Sequence, residues 1–225
     1  DEVSSSIAAL VSPAVKNKEE TRIVKIQTTN MSAWDEYLRG LSCYNNHQPS
    51  EEVKKHSFKS IELDENLSDA YILICNSLYQ EIYGSYGATR GADRESKEEE
   101  FHRYALKSYQ LDPENPEALI ALSRSYNMNK DFKNRIEFMK KALEINPNHA
   151  DANYEYGLSL TTNKDFEDAK NYVLKGLELN PYQQRYYPPI LCCIGLEEYE
   201  EAIEYCNKSL EVDPDFTGAY GWKAS

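Results

Sequence analysis

The chain has 225 residues, of which 40% are hydrophobic and 28% are charged, and its 38 acidic and 25 basic side chains give a formal net charge of −13. That acidic balance argues against an extended basic surface for nucleic acid or for an anionic membrane. No stretch approaches the ~20 consecutive apolar residues of a membrane-spanning helix, and the first residues lack the basic-then-apolar order of a secretory signal. We therefore expect a soluble protein with no nucleic-acid or membrane partner.

The first predicted element is a lead-in helix within residues 1–30, because Asp1 to Lys25 have an amphipathic pattern. No methionine opens the chain, and its last residues, from Gly221 to Ser225, have the composition of the start of another helix. We expect the chain to be part of a longer protein.

A repeated segment follows the lead-in. Lysine, a small residue, an apolar residue, Glu or Gln and an aliphatic residue follow one another at residues 59–63, 107–111, 141–145, 175–179 and 208–212. Asp-Pro or Asn-Pro directly follows the last four copies, so that Pro113, Pro147, Pro181 and Pro214 recur at a nearly constant spacing. This 34-residue period predicts a repeat architecture.

Each unit is predicted to contain two amphipathic helices joined by a polar turn. In the unit that ends at Pro181, Phe166, Ala169 and Val173 recur at spacings of three and four, which is the pattern of one helix face. Pro181 cannot continue that helix and disfavours the helical conformation of the residue before it. The small residue of the repeated segment, here Gly176, is expected to let neighbouring helices approach closely.

The period divides the chain into five units and a fragment. Leu63 and Leu111 lie farther apart than one period, so the second unit is expected to carry a 14-residue insertion near residues 83–96 that protrudes as a loop. That loop is either a surface extension or a contact to a partner. In the fifth unit, paired prolines predict a first helix shortened to about Pro189–Leu196. The expected bounds of the units are 31–67, 68–113, 114–147, 148–181 and 182–215, with residues 216–225 opening a further, truncated helix.

These units resemble the tetratricopeptide repeat. The resemblance covers roughly residues 33–215 and rests on the 34-residue period, on Asp165-Phe166 opening the second helix, on Ala169 and on the closing Asn-Pro. Arg135 departs from the pattern, because alanine usually stands there. The resemblance implies an all-α fold, a right-handed α-α superhelix (a tetratricopeptide solenoid) of about five helix-turn-helix repeats plus an N-terminal helix. It also implies a scaffold that binds a peptide or protein partner in a concave groove lined by the first helix of each unit.

First-helix positions at spacings of four and three are expected to be exposed on one wall of that groove. Tyrosine and arginine are frequent anchors of interfaces, and asparagine can bond an extended peptide backbone. The alternative for the tyrosines is packing between helices. The candidate partner-binding residues are Ile72, Asn76, Tyr79, Ile120, Arg124, Asn127, Tyr154, Leu158 and Thr161.

Co-chaperones of this family bind a partner's terminal carboxylate with Lys, Arg and Asn on their first helices. The corresponding surface offers Arg124 as its main cation, beside Glu117, Asp151 and Glu155. A carboxylate clamp is therefore not expected, and a neutral, mixed or basic segment fits better than an acidic tail.

Two alternatives to the scaffold remain open. The lead-in, followed by Ala33-Trp34 and by repeats with an insertion in the second, is more loosely similar to bacterial proteins in which a class III adenylate or guanylate cyclase, or a winged-helix regulator, is fused to tetratricopeptide repeats. That resemblance implies a regulatory arm for such a head. The other alternative is self-association into a homodimer through an apolar edge around Tyr220 and Trp222.

No catalytic, cofactor or metal site is expected. The sequence has no glycine-rich phosphate loop, no Gly-x-Ser-x-Gly elbow and no nucleophile with a base at a recognisable spacing. Cys192 and Cys193 project on different sides of a helix and are expected in the core, and the four histidines lack ligand spacing. An odd number of cysteines, five, at irregular spacing favours a reducing cytoplasm over a disulfide framework.

Overall fold

The computed structural model describes residues 30–83, 91–180 and 186–212. Within those ranges the regular structure is entirely helical, which confirms the all-α expectation. None of these helices is long and apolar enough to cross a membrane. The helices are α1 (Met31–Asn45), α2 (Ser50–Leu63), α3 (Ser68–Tyr83), α4 (Ala92–Leu111), α5 (Pro116–Met128), α6 (Phe132–Ile145), α7 (Ala150–Thr161), α8 (Phe166–Leu179), α9 (Tyr187–Gly195) and α10 (Tyr199–Val212).

The chain divides into two compact units, residues 1–77 and 78–225, and α3 contributes residues to both. In unit 1, α1 packs on α2, and Ala33 and Val53 are in the buried core. The side chain of Asn30 caps α1 by accepting hydrogen bonds from the amides of Ser32 and Ala33, and its own amide donates to the carbonyl of Leu63 at 2.7 Å. One side chain therefore joins the start of α1 to the end of α2.

Unit 2 is built from helix pairs, in which α5 packs with α6, α7 with α8, and α9 with α10, and each pair contacts the next. Asn115 caps α5 by accepting from the amide of Glu117 at 3.0 Å, and Asp131 caps α6 by accepting from the amide of Asn134 at 3.1 Å. These caps satisfy amides that have no partner inside their own helix. Asn115 and Asp131 thus help to fix where α5 and α6 begin.

The turn inside each pair of unit 2 repeats one backbone conformation. Lys130, Lys164 and Glu197 have φ angles of 59°, 63° and 62°, in the left-handed region. The amide of the following residue bonds back to the preceding helix, as Asp131 does to the carbonyl of Tyr126 at 2.9 Å. This is the usual way for a helix to end before a sharp reversal, with lysine or glutamate here in place of the more common glycine.

The prediction of a protruding loop in the second repeat needs correction. Residues 92–96, expected in the loop, belong to α4, which has 20 residues where α6 and α8 have 14 each. Acidic residues occupy its first turn, where the helix dipole favours them, and Arg94 pairs with Glu98 one turn later at 2.8 Å. Part of the insertion therefore lengthens a helix, and residues 84–90 lie outside the described ranges.

The first helix of the fifth unit is short, as predicted. It has nine residues, Tyr187–Gly195, and starts two residues earlier than expected. Both prolines fall in its first turn, where a missing backbone N–H costs nothing. The predicted lead-in helix of residues 1–30 and the further helix of residues 216–225 fall on segments that, apart from Asn30, lie outside the described ranges.

Candidate partner-binding face

The first-helix face of unit 2 is defined here as the side formed by α5, α7 and the end of α3. Arg124 of α5 joins these three helices. Its guanidinium lies 4.7 Å from the ring centroid of Tyr79 on α3, and its Nε donates to Oε1 of Glu155 on α7 at 2.7 Å. Its Nη2 lies 3.4 Å from the carboxylate of Asp151, one turn earlier on α7. A single arginine thus connects two consecutive helix pairs.

The Arg124–Glu155 pair is shielded from water, since the two side chains are 11% and 10% exposed. Burial is the largest single influence and would lower the pKa of Arg124, but the charge and hydrogen bond of Glu155, with Tyr79 and Asp151, together outweigh it, so the pKa lies above its ordinary value. Arg124 was expected to be the main cation offered to a partner. The structure corrects that expectation, because its charge is already satisfied by Glu155 and Asp151.

Three of the nine candidate residues are not exposed. Ile72, Ile120 and Tyr154 are 5%, 1% and 4% exposed, so the expected exposure is wrong for them. The reason is visible in α5, where every residue from Ala118 to Ser123 is buried because the helix is packed against neighbours on most of its circumference. The remaining six are half-buried: Asn76 in unit 1, and Tyr79, Arg124, Asn127, Leu158 and Thr161 in unit 2.

Close packing against α8 positions α7 and its part of the face. A Cβ atom at Gly176 would lie 2.7 Å from the amide nitrogen of Tyr154, and one at Gly157 would lie 2.7 Å from the carbonyl oxygen of Ala169. Both distances are shorter than side-chain atoms tolerate, so the two backbones meet where only glycine fits. The close approach expected at Gly176 is confirmed.

Arg135 on α6 reaches this face although it was not a candidate. Its Nη1 donates to Oδ1 of Asn127 at 2.8 Å, and the residue is 7% exposed. The sequence marked Arg135 as a departure from the expected alanine. The sequence did not show that this side chain extends to the first-helix face, because Arg135 belongs to the second helix of its repeat.

Models of the tetratricopeptide repeat match the sequence at residues 138–171, and at residues 116–149 and 191–216. Residues 116–171 and 191–216 therefore contain tetratricopeptide repeats. No curated protein matches the sequence significantly. The resemblance inferred from the 34-residue period is therefore confirmed by independent family models.

Solved structures share the fold, and two of them are described as TPR proteins. YrrB, described as a TPR protein with an unusual peptide-binding site, is 17% identical, with a TM-score of 0.56 over 91% of this chain and 97% of its own. TTC0263, a thermophilic TPR protein in Thermus thermophilus, is 12% identical, with a TM-score of 0.62 over 86% and 98%. MamA from Desulfovibrio magneticus RS-1 is 26% identical over 56% of this chain and 72% of its own, with a TM-score of 0.50.

A second ion pair joins the same two tetratricopeptide units. His149 is the N-cap of α7 and accepts from the amide of Ala152 through Nδ1, at 3.3 Å, while Nε2 lies 2.9 Å from Oε1 of Glu117 on α5. Burial would lower the pKa of His149, but the hydrogen bond and charge of Glu117 raise it above its ordinary value. Burial would raise the pKa of Glu117, and the contact with His149 instead holds it below its ordinary value.

This pair predicts a pH-dependent contribution to stability. The contribution is fully present between the unfolded-state pKa values of about 4.5 for Glu117 and about 6.5 for His149. It is lost as pH falls through the lowered pKa of Glu117 in the folded protein. It is also lost as pH rises through the raised pKa of His149 in the folded protein. His149→Asn keeps a capping side chain, as at Asn115 one unit earlier, and removes the charge. We expect it to lower the free energy of unfolding by up to about 1 kcal/mol at pH 6 and by less at pH 8, measured by urea unfolding.

Glu117→Gln is the matched control for that experiment, because it leaves the cap intact and removes the carboxylate. It should reduce the same pH dependence. Identical pH profiles for wild type and His149→Asn would show that the pair contributes nothing.

Cys193, Glu198 and Glu201 are close enough together to suggest a metal site. However, the ammonium of Lys170 lies 2.7 Å and 2.6 Å from the two carboxylates and neutralises them. Burial raises the pKa of the Cys193 thiol to about 11, which disfavours the thiolate that a metal needs. The expected burial of Cys192 and Cys193 is confirmed, and the cluster is an ion-pair network between α8 and the last unit.

Proposed function

We propose that this chain is a scaffold that binds a peptide or protein segment along the first-helix face of unit 2, the face that corresponds to the concave groove of the repeat family. Tetratricopeptide-repeat proteins are in general protein-interaction scaffolds. The observation that carries the proposal is the presence of the repeats themselves, matched over residues 116–171 and 191–216. The peptide-binding site described for YrrB supports the same class of activity here.

Fewer of the candidate residues are accessible to a partner than the sequence predicted. Ile120 and Tyr154 support the face from the core, and Arg124 supports it through its ion pairs. Tyr79, Asn127, Leu158 and Thr161 remain as half-buried side chains of unit 2 that a segment could contact. Asn127 supplies an amide for hydrogen bonding, and Leu158 supplies an apolar contact.

The test is selection of short random peptides displayed against the purified chain, followed by calorimetric titration of the enriched peptides. Leu158→Arg places a long charged side chain on the face and is expected to weaken binding about tenfold or more. Asn171→Arg adds the same charge at an exposed position of α8 and is the matched control, expected to bind as wild type does. Both variants are checked for helical content by circular dichroism.

Two results would contradict the proposal. One is the failure to enrich any peptide that binds in solution. The other is equal weakening by Leu158→Arg and Asn171→Arg, which would place the peptide away from the first-helix face.

A further inference from the structure

Arg135 is a buried cation without a carboxylate partner among the described residues. A guanidinium has five N–H donors, and this one makes a single side-chain hydrogen bond within the described ranges, from Nη1 to Oδ1 of Asn127 at 2.8 Å. The residue is only 7% exposed. Buried charges in proteins are normally paired with an opposite charge, so this arrangement is unusual.

The surroundings of Arg135 contrast with those of Arg124. Burial holds the pKa of Arg135 below its ordinary value, whereas the pKa of Arg124 is raised. Glu155 is an electrostatic neighbour of both, but Nε of Arg124 holds its carboxylate at 2.7 Å. The negative charge of Glu155 is therefore already committed to another cation.

Packing does not require an arginine at this position. Ala169 and Ala202, one and two periods further along the chain, occupy the equivalent sites and are buried. The backbone of Arg135 is fixed independently of its side chain, because its carbonyl accepts a hydrogen bond from Oγ of Ser123 at 2.8 Å. The long side chain thus brings a charge to the first-helix face, and the fold does not require that charge.

We propose that Arg135 is an anion-binding subsite that takes the carboxylate of an internal aspartate or glutamate in the bound segment. The inference rests on the proposed function, since it needs a segment on the first-helix face. Pairing would give the largely buried guanidinium the carboxylate partner that it lacks among the described residues, through two parallel hydrogen bonds. Glu155 and Asp151 nearby would repel a second carboxylate, so the segment is of mixed charge, with one acidic residue among neutral or basic ones.

The experiment uses peptides enriched by display on the wild-type chain and synthesised with amidated C termini, which removes any terminal carboxylate. Each Asp or Glu is replaced in turn by Asn or Gln, and dissociation constants are measured by calorimetry with wild type and with Arg135→Ala. Alanine is the residue of the equivalent sites in the next two units, so the variant is expected to fold, and circular dichroism and urea unfolding verify this.

With the wild-type chain, replacing one particular acidic residue should weaken binding roughly 30-fold or more. With Arg135→Ala the acidic peptide and its amide analogue should bind equally, because the coupled pair is gone. Arg135→Lys keeps the charge and loses the planar fork, so it should retain only part of the preference.

The inference is overturned if acid-to-amide replacement weakens binding equally in wild type and Arg135→Ala, or if no enriched peptide depends on an acidic residue. In both cases the proposed function stands as long as binding remains sensitive to Leu158→Arg and insensitive to Asn171→Arg. Failure to obtain any binding peptide overturns both.

Discussion

Replacing Gly176 with alanine is expected to lower the free energy of unfolding by about 1–3 kcal/mol, the usual range for forcing atoms into a filled space. The added Cβ would lie 2.7 Å from the amide nitrogen of Tyr154 and 2.9 Å from the carbonyl oxygen of Ala150. These are backbone atoms of α7, and no side-chain rotation can move them. The clash can be relieved only by separating α7 from α8.

The sign of the change in the free energy of unfolding separates helix propensity from the close contact between α7 and α8. In an exposed helix, glycine to alanine stabilises by about 0.8–1 kcal/mol, because alanine has the higher helix propensity. Gly176 lies inside α8, so propensity alone predicts a gain. If Gly176→Ala lowers the free energy of unfolding, the cost of the clash between α7 and α8 must therefore exceed this gain from helix propensity.

Urea unfolding followed by circular dichroism measures the effect. Gly157→Ala tests the same contact from the α7 side, since its Cβ would lie 2.7 Å from the carbonyl oxygen of Ala169, and should destabilise similarly. Asn171→Ala, at an exposed position of α8, is the control and should change stability by no more than a few tenths of a kcal/mol. Stabilisation by Gly176→Ala would mean that the helices do not approach as closely as described.

The repeat architecture was predictable because each repeat has its own helix start and stop residues. Regularly spaced prolines end the second helices, and Asn115 and Asp131 are typical capping residues. The turns were less visible, because Lys130 and Lys164 adopt a left-handed conformation that sequence reasoning assigns to glycine. Hydrogen bonds back to the preceding helix hold these residues there, and such bonds leave no trace in composition.

The candidate face was harder to predict than the fold. Helical spacing places Ile120, Arg124 and Asn127 on one side of α5, but it does not show how much of that side neighbouring helices cover. Ile120 is covered, and the charge of Arg124 is used to join two units. Arg135 was missed for the opposite reason, since a long side chain on a second helix reaches a face that its Cα does not belong to.

Removing the Arg124 guanidinium is expected to produce the other large effect. Arg124→Met keeps much of the side-chain volume and leaves the buried carboxylate of Glu155 without its cation. Breaking a buried pair from one side costs about 3–5 kcal/mol, and we expect about 3 kcal/mol because Arg135 lies within electrostatic reach of Glu155. Urea unfolding at neutral pH gives the value.

The double variant Arg124→Met/Glu155→Met is the control, because it removes both charges and fills the space with apolar atoms. Such replacements are often neutral or stabilising, so stability should return to within about 1 kcal/mol of wild type. A cost below about 1 kcal/mol for Arg124→Met alone would mean that the pair does not hold α5 and α7 together.

The same substitution links stability to binding. Once Arg124 is gone, the Glu155 carboxylate is no longer held by that guanidinium, and its charge is expected to attract Arg135 in competition with a bound carboxylate. Arg124→Met should therefore weaken the preference for acidic peptides although Arg135 is still present, and Arg124→Met/Glu155→Met should restore it. Calorimetric titration of one acidic peptide and its amide analogue against the two variants measures this difference. An unchanged preference in Arg124→Met would show that Glu155 and a bound carboxylate do not compete for Arg135.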